Sequence, residues 1–229
     1  MIVGVMQPYF MPYLGYFQLM ALVDKYVIFD DVNYIKRGWS ARNNILVNGQ
    51  KHMFSISVAG GSQNNLYTNV SIADDFSKLR KTIEMSYKKA PYFNETMNIL
   101  EKVFQYPDKR FNHFIKNSFA QILDYVNVDT KLILSSSLDN DKSLKGQEKI
   151  LDICKLLQAD QYINTIAGQE LYEKQLFKEN SIALRFLVSE LNPYPQLNKE
   201  FIPGCSIIDV LMMNSVVNIK KLLNDYSLS

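Results

Sequence analysis

Two short apolar runs near the start of the chain, separated by a loop and an apolar helix, most constrain its fold. The runs are Ile2 to Met6 and Tyr26 to Asp30, and their length and composition are typical of buried strands. Pro8 ends the first strand, because proline has no N–H to donate within a sheet. Tyr16 to Leu22 then predicts a short helix, so this segment is expected to form a parallel βαβ unit.

A β-hairpin and a helical segment are expected after the βαβ unit. Asn48-Gly49 separates two β-prone segments, Asn43 to Val47 and His52 to Val58, and the type I′ turn of a hairpin needs positive φ at both central residues. Residues 71–127 carry apolar side chains at helical spacing and predict a helical layer or insertion. Its expected helices are Phe76 to Lys88, Phe93 to Phe104 and Phe111 to Val126.

The C-terminal part of the chain alternates short strands with helices. The expected strands are Leu132 to Ser135, Gln161 to Asn164 and Ala183 to Val188, and the expected helices are Gln147 to Gln158, Glu170 to Glu179, Ser206 to Asn214 and Val217 to Asp225. Such alternation favours a parallel sheet. We therefore predict an α/β fold over a single domain, residues 1–229: a mainly parallel Rossmann-like sheet with a helical insertion in the middle third and a short β-hairpin.

The composition limits the partners that we expect. The 229 residues include 25 basic and 23 acidic ones without a run of like charge, which argues against a main role in binding DNA or an anionic membrane. The start has no signal-peptide pattern, and no run of about 20 apolar residues follows, so we expect a cytoplasmic protein without membrane insertion. A small anionic ligand needs only a few local donors and stays compatible with this charge balance.

Several familiar kinds of site have no support in the sequence. The two histidines, His52 and His113, have no Cys or His neighbour at metal-ligand spacing, so no metal site is predicted. A phosphate loop, a dinucleotide-binding glycine motif and a nucleophile elbow are all missing. Cys205 precedes an expected helix capped by Ser206, where a thiolate would be favoured, but no histidine is near in sequence. We therefore interpret Cys154 and Cys205 as small apolar residues.

Side chains able to hold a polar organic ligand are concentrated between Gln7 and Asn43. In open α/β sheets the ligand crevice lies at the carboxyl ends of the strands, where the loop at Gln7 and the pair Asp30-Asp31 are expected. Asp30, Asp31 and Gln7 are candidate catalytic residues, since carboxylates accept protons from hydroxyls or amines. Candidate substrate-binding residues in this stretch are Tyr9, Tyr16, Tyr34, Lys36, Arg37, Trp39, Arg42 and Asn43.

This mixture of side chains suits a nucleotide-linked sugar or a similar phosphorylated metabolite. Arginine binds phosphate in a fork geometry, and aromatic rings stack on a base or a sugar. A structural interpretation stays open for each residue. In this interpretation Gln7 only ends a strand, and Asp30 and Asp31 cap a turn. The cations are then ordinary solvent-exposed surface residues.

Two other places are candidates for ligand contact. Tyr87 and Lys88 lie at the expected end of a helix, although a helix end attracts lysines through its dipole. Gly168 lies between an expected strand and helix, where backbone amides can receive an anion. A plain structural turn is an equally good interpretation of Gly168.

Several segments together resemble the WbqC-like family, and they span nearly the whole chain. The N-terminal segments begin at Gln7 (QPYFMPYLGYF), Val23 (VD), Phe29 (FDDV) and Lys36 (KRGWSARN). The others begin at Tyr87 (YKKAPYF), Lys149 (KILDIC), Tyr194 (YPQ) and Phe201 (FIPGCSIID). The block from Gln7 onward is long and particular, which makes it the main basis of the resemblance.

The resemblance implies an enzyme of bacterial surface-polysaccharide (O-antigen) assembly that attaches glycine or another acyl group to the amine of a nucleotide-linked amino sugar. In that scheme Asp30 or Asp31 takes the amine proton, Arg37 and Arg42 hold phosphates, and Trp39 or Tyr34 stacks on the base or sugar. The activated acyl donor stays open among a coenzyme A thioester, an aminoacyl-tRNA and an ATP-activated amino acid. The near-neutral charge weighs against a large tRNA surface.

Two alternatives accompany the transferase hypothesis. The first is a non-catalytic protein that binds a nucleotide sugar or organises a glycan-assembly complex. The second is a nucleotidyltransferase-like enzyme, suggested by the order strand, proline-rich loop, glycine and helix. Because the loop after Gln7 has no histidine, the second alternative is an analogy of fold only.

Overall fold

The computed structural model describes residues 1–229, which form ten strands and eight α-helices. The strands are β1 (Ile2–Met6), β2 (Lys25–Ile28), β3 (Arg42–Val47), β4 (Gln50–Ser55), β5 (Val58–Ala59), β6 (Ser71–Ile72), β7 (Lys131–Leu134), β8 (Gln161–Thr165), β9 (Ala183–Ser189) and β10 (Tyr226–Leu228). The helices are α1 (Leu14–Leu22), α2 (Ser77–Tyr87), α3 (Phe93–Phe104), α4 (Phe111–Tyr125), α5 (Gly146–Leu156), α6 (Lys174–Glu179), α7 (Ile207–Met213) and α8 (Val216–Leu223).

Six strands form the central sheet in the order β10-β9-β8-β1-β2-β7. All neighbouring pairs are parallel except β9 and β10, which are antiparallel. The chain builds the sheet outward from β1 to β2 and β7, and then crosses to the other side of β1 to add β8, β9 and β10. The strand order therefore reverses between β1 and β8, which is the switch point of a doubly wound sheet.

Each face of the sheet is covered by helices, so the inner strands are apolar on both sides. Val3, Val5 and Val27 point to the face covered by α5 and α6. Their strand neighbours, such as Tyr26 and Ile28, point to the other face, where the larger core contains residues of α1, α3, α4, α7 and α8. This alternation follows from the two-residue period of a strand. The fold is thus the mainly parallel α/β sheet that the sequence predicts.

The predicted hairpin is confirmed as β3 and β4. Asn48 and Gly49 connect the two strands with φ angles of 51° and 75°, as a type I′ turn requires. The predicted helices of the middle third are also present as α2, α3 and α4, and they lie between β2 and β7 in the chain. None of the helices in the protein combines the length and the apolarity needed to cross a bilayer.

Three features differ from the prediction. The helix expected from Glu170 to Glu179 is instead a 3-10 helix, Ile166–Leu171, followed by the short α6. The helix is interrupted at Tyr172, which has an extended backbone conformation. The ring centre of Tyr172 lies 5.9 Å from that of Phe177, and its hydroxyl accepts a hydrogen bond from Asn164. The small pair β5 and β6 was not predicted. Strand β10 was not predicted either, because three residues are too few to show the alternation of apolar and polar side chains that marks a strand.

Candidate functional site

A cleft lies at the carboxyl ends of β1, β2, β7 and β8, around the N-terminus of α5. It has two parts that meet at Gly146, the first residue of α5. The polar half has a volume of about 540 Å³ and is lined by Asp31, Asn33, Thr68, Ser136, Lys142, Lys145 and Lys149 among others. The apolar half has a volume of about 480 Å³ and is lined by Gln7, Tyr16, Phe29, Ile35, Ile150, Asn164, Gly168, Leu171 and Tyr172 among others.

The position of the cleft follows from the topology. Helices leave β1 and β8 on opposite faces of the sheet, which opens a crevice beyond their carboxyl ends. The chain then brings α5 from β7 across to β8, so the N-terminal end of α5 points toward this crevice. Both volumes fall within the range of roughly 300–1,000 Å³ that is typical of small-molecule sites.

Asp31 is the only carboxylate that lines the polar half, and two lysines hold it. Lys142 Nζ lies 3.1 Å and Lys149 Nζ 3.0 Å from Asp31 Oδ2, and the Ser135 hydroxyl contacts the other oxygen. Burial raises the pKa of Asp31, but the hydrogen bonds from Ser135, Lys149 and Lys142 outweigh burial and lower it below its ordinary value of 3.8. Asp31 is therefore ionised at neutral pH.

Asp30 is fully buried and organises the floor of the cleft. Its carboxylate accepts hydrogen bonds from Asn112 Nδ2 at 2.6 Å, from Ser136 N at 2.8 Å and from Ser136 Oγ at 2.7 Å. These contacts connect the end of β2 to α4 and to the 3-10 turn Ser135–Ser137 after β7. Because Asp30 has no exposed surface, this geometry favours its interpretation as a cap of that turn over its predicted catalytic role.

Lys149 was not among the predicted site residues. Its side chain is only 4% exposed, and its ammonium group also donates to the Asp31 carbonyl at 3.0 Å and lies 5.5 Å from the centre of the Phe29 ring. The sequence contained a usable signal, because Lys149 lies one turn before Ile153 on the apolar face of α5. A lysine at such a position needs a buried partner, and that partner is 118 residues away.

Gln7, Tyr16 and Gly168 are the predicted residues that line the apolar half. Gln7 directly follows β1, and no hydrogen bond within the protein occupies its side-chain amide. The facing wall is braced by Asn164, whose Nδ2 donates to Tyr162 Oη at 2.7 Å and to Tyr172 Oη at 2.9 Å. The apolar half therefore has a fixed wall and one free amide at the switch point.

Tyrosines of the first loop and of the first turn of α1 form an edge-to-face cluster beside the apolar half. The ring centres of Tyr9 and Tyr16 are 5.2 Å apart, and those of Tyr13 and Tyr16 are 6.0 Å apart. Burial raises the pKa of Tyr9 and Tyr16 well above its usual range, so both hydroxyls stay protonated. A Cβ at Gly15 would lie 2.5 Å from the Tyr13 ring, so a larger residue here would force that ring to move.

The loop between β2 and β3 carries the predicted cations and the single tryptophan. Ile35 places this loop at the border of the apolar half, and Lys36 and Arg37 are exposed. Arg42 lies 5.2 Å from the centre of the Trp39 ring and donates to the Arg37 carbonyl, and no carboxylate pairs with it. Trp39 is half exposed. The loop thus joins cations and an aromatic face near the cleft.

Four further predicted residues lie elsewhere, in structural or surface positions. Tyr34 is buried, with its ring centre 5.2 Å from that of Tyr67. Asn43 is buried and donates to the Met11 carbonyl at 2.6 Å. Tyr87 is buried and donates to Asp209 Oδ1 at 2.8 Å, whereas Lys88 lines a separate surface groove near the hairpin turn. The structure does not bring these four side chains into the cleft.

The remaining reactive side chains give no second centre. Cys205 is buried, and burial together with Asp209 raises its pKa to about 12, which keeps the thiol protonated. Cys154 is buried as well, and its pKa is likewise raised to about 12 by burial. No group of three or more His, Cys, Asp or Glu side chains is arranged to hold a metal ion. The cleft is therefore the best candidate for a functional site.

Comparisons with known proteins cover most of the chain. The model of the WbqC-like protein family matches residues 7–221. Among curated proteins, the uncharacterized protein Rv1507c of Mycobacterium tuberculosis is 26% identical over 215 residues, which cover 91% of this chain and 92% of that protein. No solved structure gives a significant match. The matched region contains every residue that lines the polar half, and all that line the apolar half except Val5 and Met6.

Proposed function

The chain belongs to the WbqC-like protein family, and from this premise we propose that it is an N-acyltransferase that attaches glycine or another acyl group to the amine of a nucleotide-linked amino sugar. The reaction would serve the assembly of bacterial surface polysaccharide in the cytoplasm. The acyl donor is a coenzyme A thioester, an aminoacyl-tRNA or an ATP-activated amino acid.

One observation carries this proposal: an ionised carboxylate, Asp31, lines the lysine-rich half of a cleft whose apolar half adjoins it at Gly146. A nucleotide sugar has an anionic diphosphate between a base and a sugar, so its ends and its middle need different surroundings. The lysines suit the diphosphate, and Phe29, Leu171 and Tyr172 suit a less polar part of the substrate. Gln7 supplies an amide that can donate to a sugar hydroxyl or an acyl oxygen.

Asp31 would accept the proton that amide formation releases. In the reaction the amine nitrogen bonds to the acyl carbon, the bond from that carbon to the donor's leaving group breaks, and the nitrogen loses a proton. The lowered pKa keeps Asp31 in the form that accepts a hydrogen bond from the amine. It also makes Asp31 a weak base, so its main contribution would be to orient the amine and to stabilise the positive charge that develops on nitrogen.

The same geometry favours a second candidate, a protein that binds a nucleotide sugar without turnover. Lys142 and Lys149 both contact Asp31, and a carboxylate neutralised by two lysines is a poor general base. Such an arrangement is sufficient for recognition. A binding protein of the same pathway would need the cleft but not the proton transfer.

Mass spectrometry of the purified protein tests the proposal. The acceptor is a thymidine-diphosphate-linked 4-amino-4,6-dideoxy sugar, offered with acyl-coenzyme A species, with glycine and ATP, or with charged glycyl-tRNA. We expect one of the three donors to give a sugar product heavier by one acyl group. Binding of the sugar without a mass change in any arm would support the binding protein instead.

Asp31→Asn separates the two candidates further. If Asp31 takes part in turnover, we expect kcat to fall roughly 100-fold, because the variant loses the charge that orients the amine and stabilises the positive charge on its nitrogen. The affinity for the nucleotide sugar should change little. Asp129→Asn, a substitution of an exposed aspartate on the turn before β7, is the matched control. Equal losses of affinity and rate in Asp31→Asn would argue that this residue only binds.

A further inference from the structure

The structure assigns a phosphate-binding site to the polar half of the cleft: we infer that Lys142, Lys145 and Lys149, with the first backbone amides of α5, bind a diphosphate group. This inference deepens the proposed function, because it locates the charged middle of the nucleotide-linked substrate. It differs from the expectation that Arg37 and Arg42 hold the phosphates.

The charge of the polar half favours an anion. Three lysines and one aspartate line it, a net charge of +2. Lys142 is held by the Ser135 carbonyl at 2.9 Å and by Asn140 Oδ1 at 2.6 Å, and Lys149 is held by Asp31, so both ammonium groups are fixed before any ligand arrives. Fixed cations lose little conformational entropy on binding, which favours a tight site.

Lys145 is the cation without a partner. It is exposed, forms no ion pair or side-chain hydrogen bond, and occupies the position just before α5. A lysine with a free ammonium group over a cleft can close on a bound anion. Its long side chain would complete a site whose other two lysines are already in place.

The backbone of α5 adds donors at the same place. The amides of Gly146, Gln147 and Glu148 donate to no group in the protein, as the geometry of a first helical turn predicts. Gly146 has a φ of 53°, and a side chain at this position would meet nothing within 4 Å, so the space over the first turn is open. Thr68 and Ser136 add hydroxyl groups to the lining.

The arginines of the preceding loop are less suitable. The Arg42 guanidinium already contacts the Arg37 carbonyl and the face of Trp39. Neither arginine lines the polar half or the apolar half. A diphosphate between the lysines and α5 would lie beside Asp31, whereas one at Arg37 would lie outside the lining of the cleft.

Isothermal titration calorimetry with inorganic pyrophosphate, at low ionic strength, tests the site without any sugar or acyl donor. We expect the unmodified protein to bind pyrophosphate and Lys145→Ala to bind it roughly 10-fold more weakly, the effect of losing one charge-assisted hydrogen bond. Lys102→Ala, which removes an exposed lysine of α3, and Arg37→Ala should bind like the unmodified protein. Lys145 is exposed, so its substitution leaves the core intact.

Two results would overturn the inference. One is the failure of the unmodified protein to bind pyrophosphate at millimolar concentration. The other is normal binding by Lys145→Ala together with weak binding by Arg37→Ala. Neither result depends on acyl transfer, so this site and the proposed reaction can fail separately. Pyrophosphate binding without a sugar product would support the phosphate site but not the proposed reaction. A sugar product formed with an unchanged KM in Lys145→Ala would support the reaction but not the phosphate site.

Discussion

The two adjacent aspartates after β2 illustrate how much the surroundings of a residue decide its role. Asp30 is fully buried and receives hydrogen bonds from Asn112 and Ser136, whereas Asp31 faces the cleft between two lysines. From the sequence, both were equal candidates for a base or a turn cap. The partners that separate them come from α4, α5 and the turn after β7, and no local pattern contains this information.

Asp30→Asn should therefore lower the stability of the folded protein, and not only its activity. An asparagine would present an N–H to one of the donors, Asn112 or Ser136, and leave a buried polar group unsatisfied. We expect the free energy of unfolding to fall by about 1–3 kcal/mol in urea denaturation. Asp129→Asn is again the control. An unchanged unfolding midpoint for Asp30→Asn would show that these hydrogen bonds contribute little.

Among the secondary-structure elements, α5 has the largest effect on the site. It borders both halves of the cleft through Gly146 and carries Lys149 on its buried face. The amphipathic pattern of α5 was sufficient to predict a helix there. Its crossing from β7 to β8 brings its first turn to Asp31. This crossing depends on the order of strands in the sheet, which the periodicity of the sequence does not predict.

Removing either lysine should raise the pKa of Asp31, and the buried one should matter more. Lys149→Met removes a cation that is 4% exposed, while Lys142→Met removes one that is 46% exposed and better screened by water. We expect NMR titration of the Asp31 carboxyl group to show a higher pKa in both variants, with the larger increase in Lys149→Met. An equal increase in the two would contradict the argument from burial.

At the scale of the whole molecule, the parallel sheet and most helices followed from the sequence because strands and helices leave a periodic signal. The hairpin followed from Asn48-Gly49 and the two β-prone segments that flank it. The candidate site followed only in part. Its location at the strand ends and the residues Gln7, Tyr16, Asp31 and Gly168 were foreseen, whereas the lysines from the second half of the chain were not. Long-range contacts between single charged residues leave no periodic trace.

A second buried carboxylate, Asp209, connects distant parts of the molecule and should give its stability a pH dependence. It accepts hydrogen bonds from Tyr87 at 2.8 Å, from Tyr194 at 2.7 Å and from Gln196 at 2.7 Å, and it has no cation as a partner. Burial raises the pKa of Asp209 above its ordinary 3.8, although these hydrogen bonds lower it. Between the two pKa values the folded state binds more protons than the unfolded state.

Stability should therefore fall as the pH rises from 3.8 through the raised pKa of Asp209. Asp209→Asn removes this group. Over that pH range, the unfolding free energy of the original protein minus that of the variant should therefore decrease as the pH rises. Urea denaturation at a series of pH values measures this difference, and the other carboxyl groups cancel in it. A difference that stays constant with pH would contradict the prediction.

The central place of β1 also has a consequence for the growing chain on the ribosome. β2 is available to pair with β1 early, but β8, its other neighbour, begins at Gln161. During synthesis the edge of β1 that pairs with β8 therefore keeps its backbone groups unpaired until most of the protein has been made. An unpaired strand edge is prone to pair with the wrong strand. We expect fragments that end before Gln161 to aggregate, and ligand binding to begin only once β8 has closed the sheet.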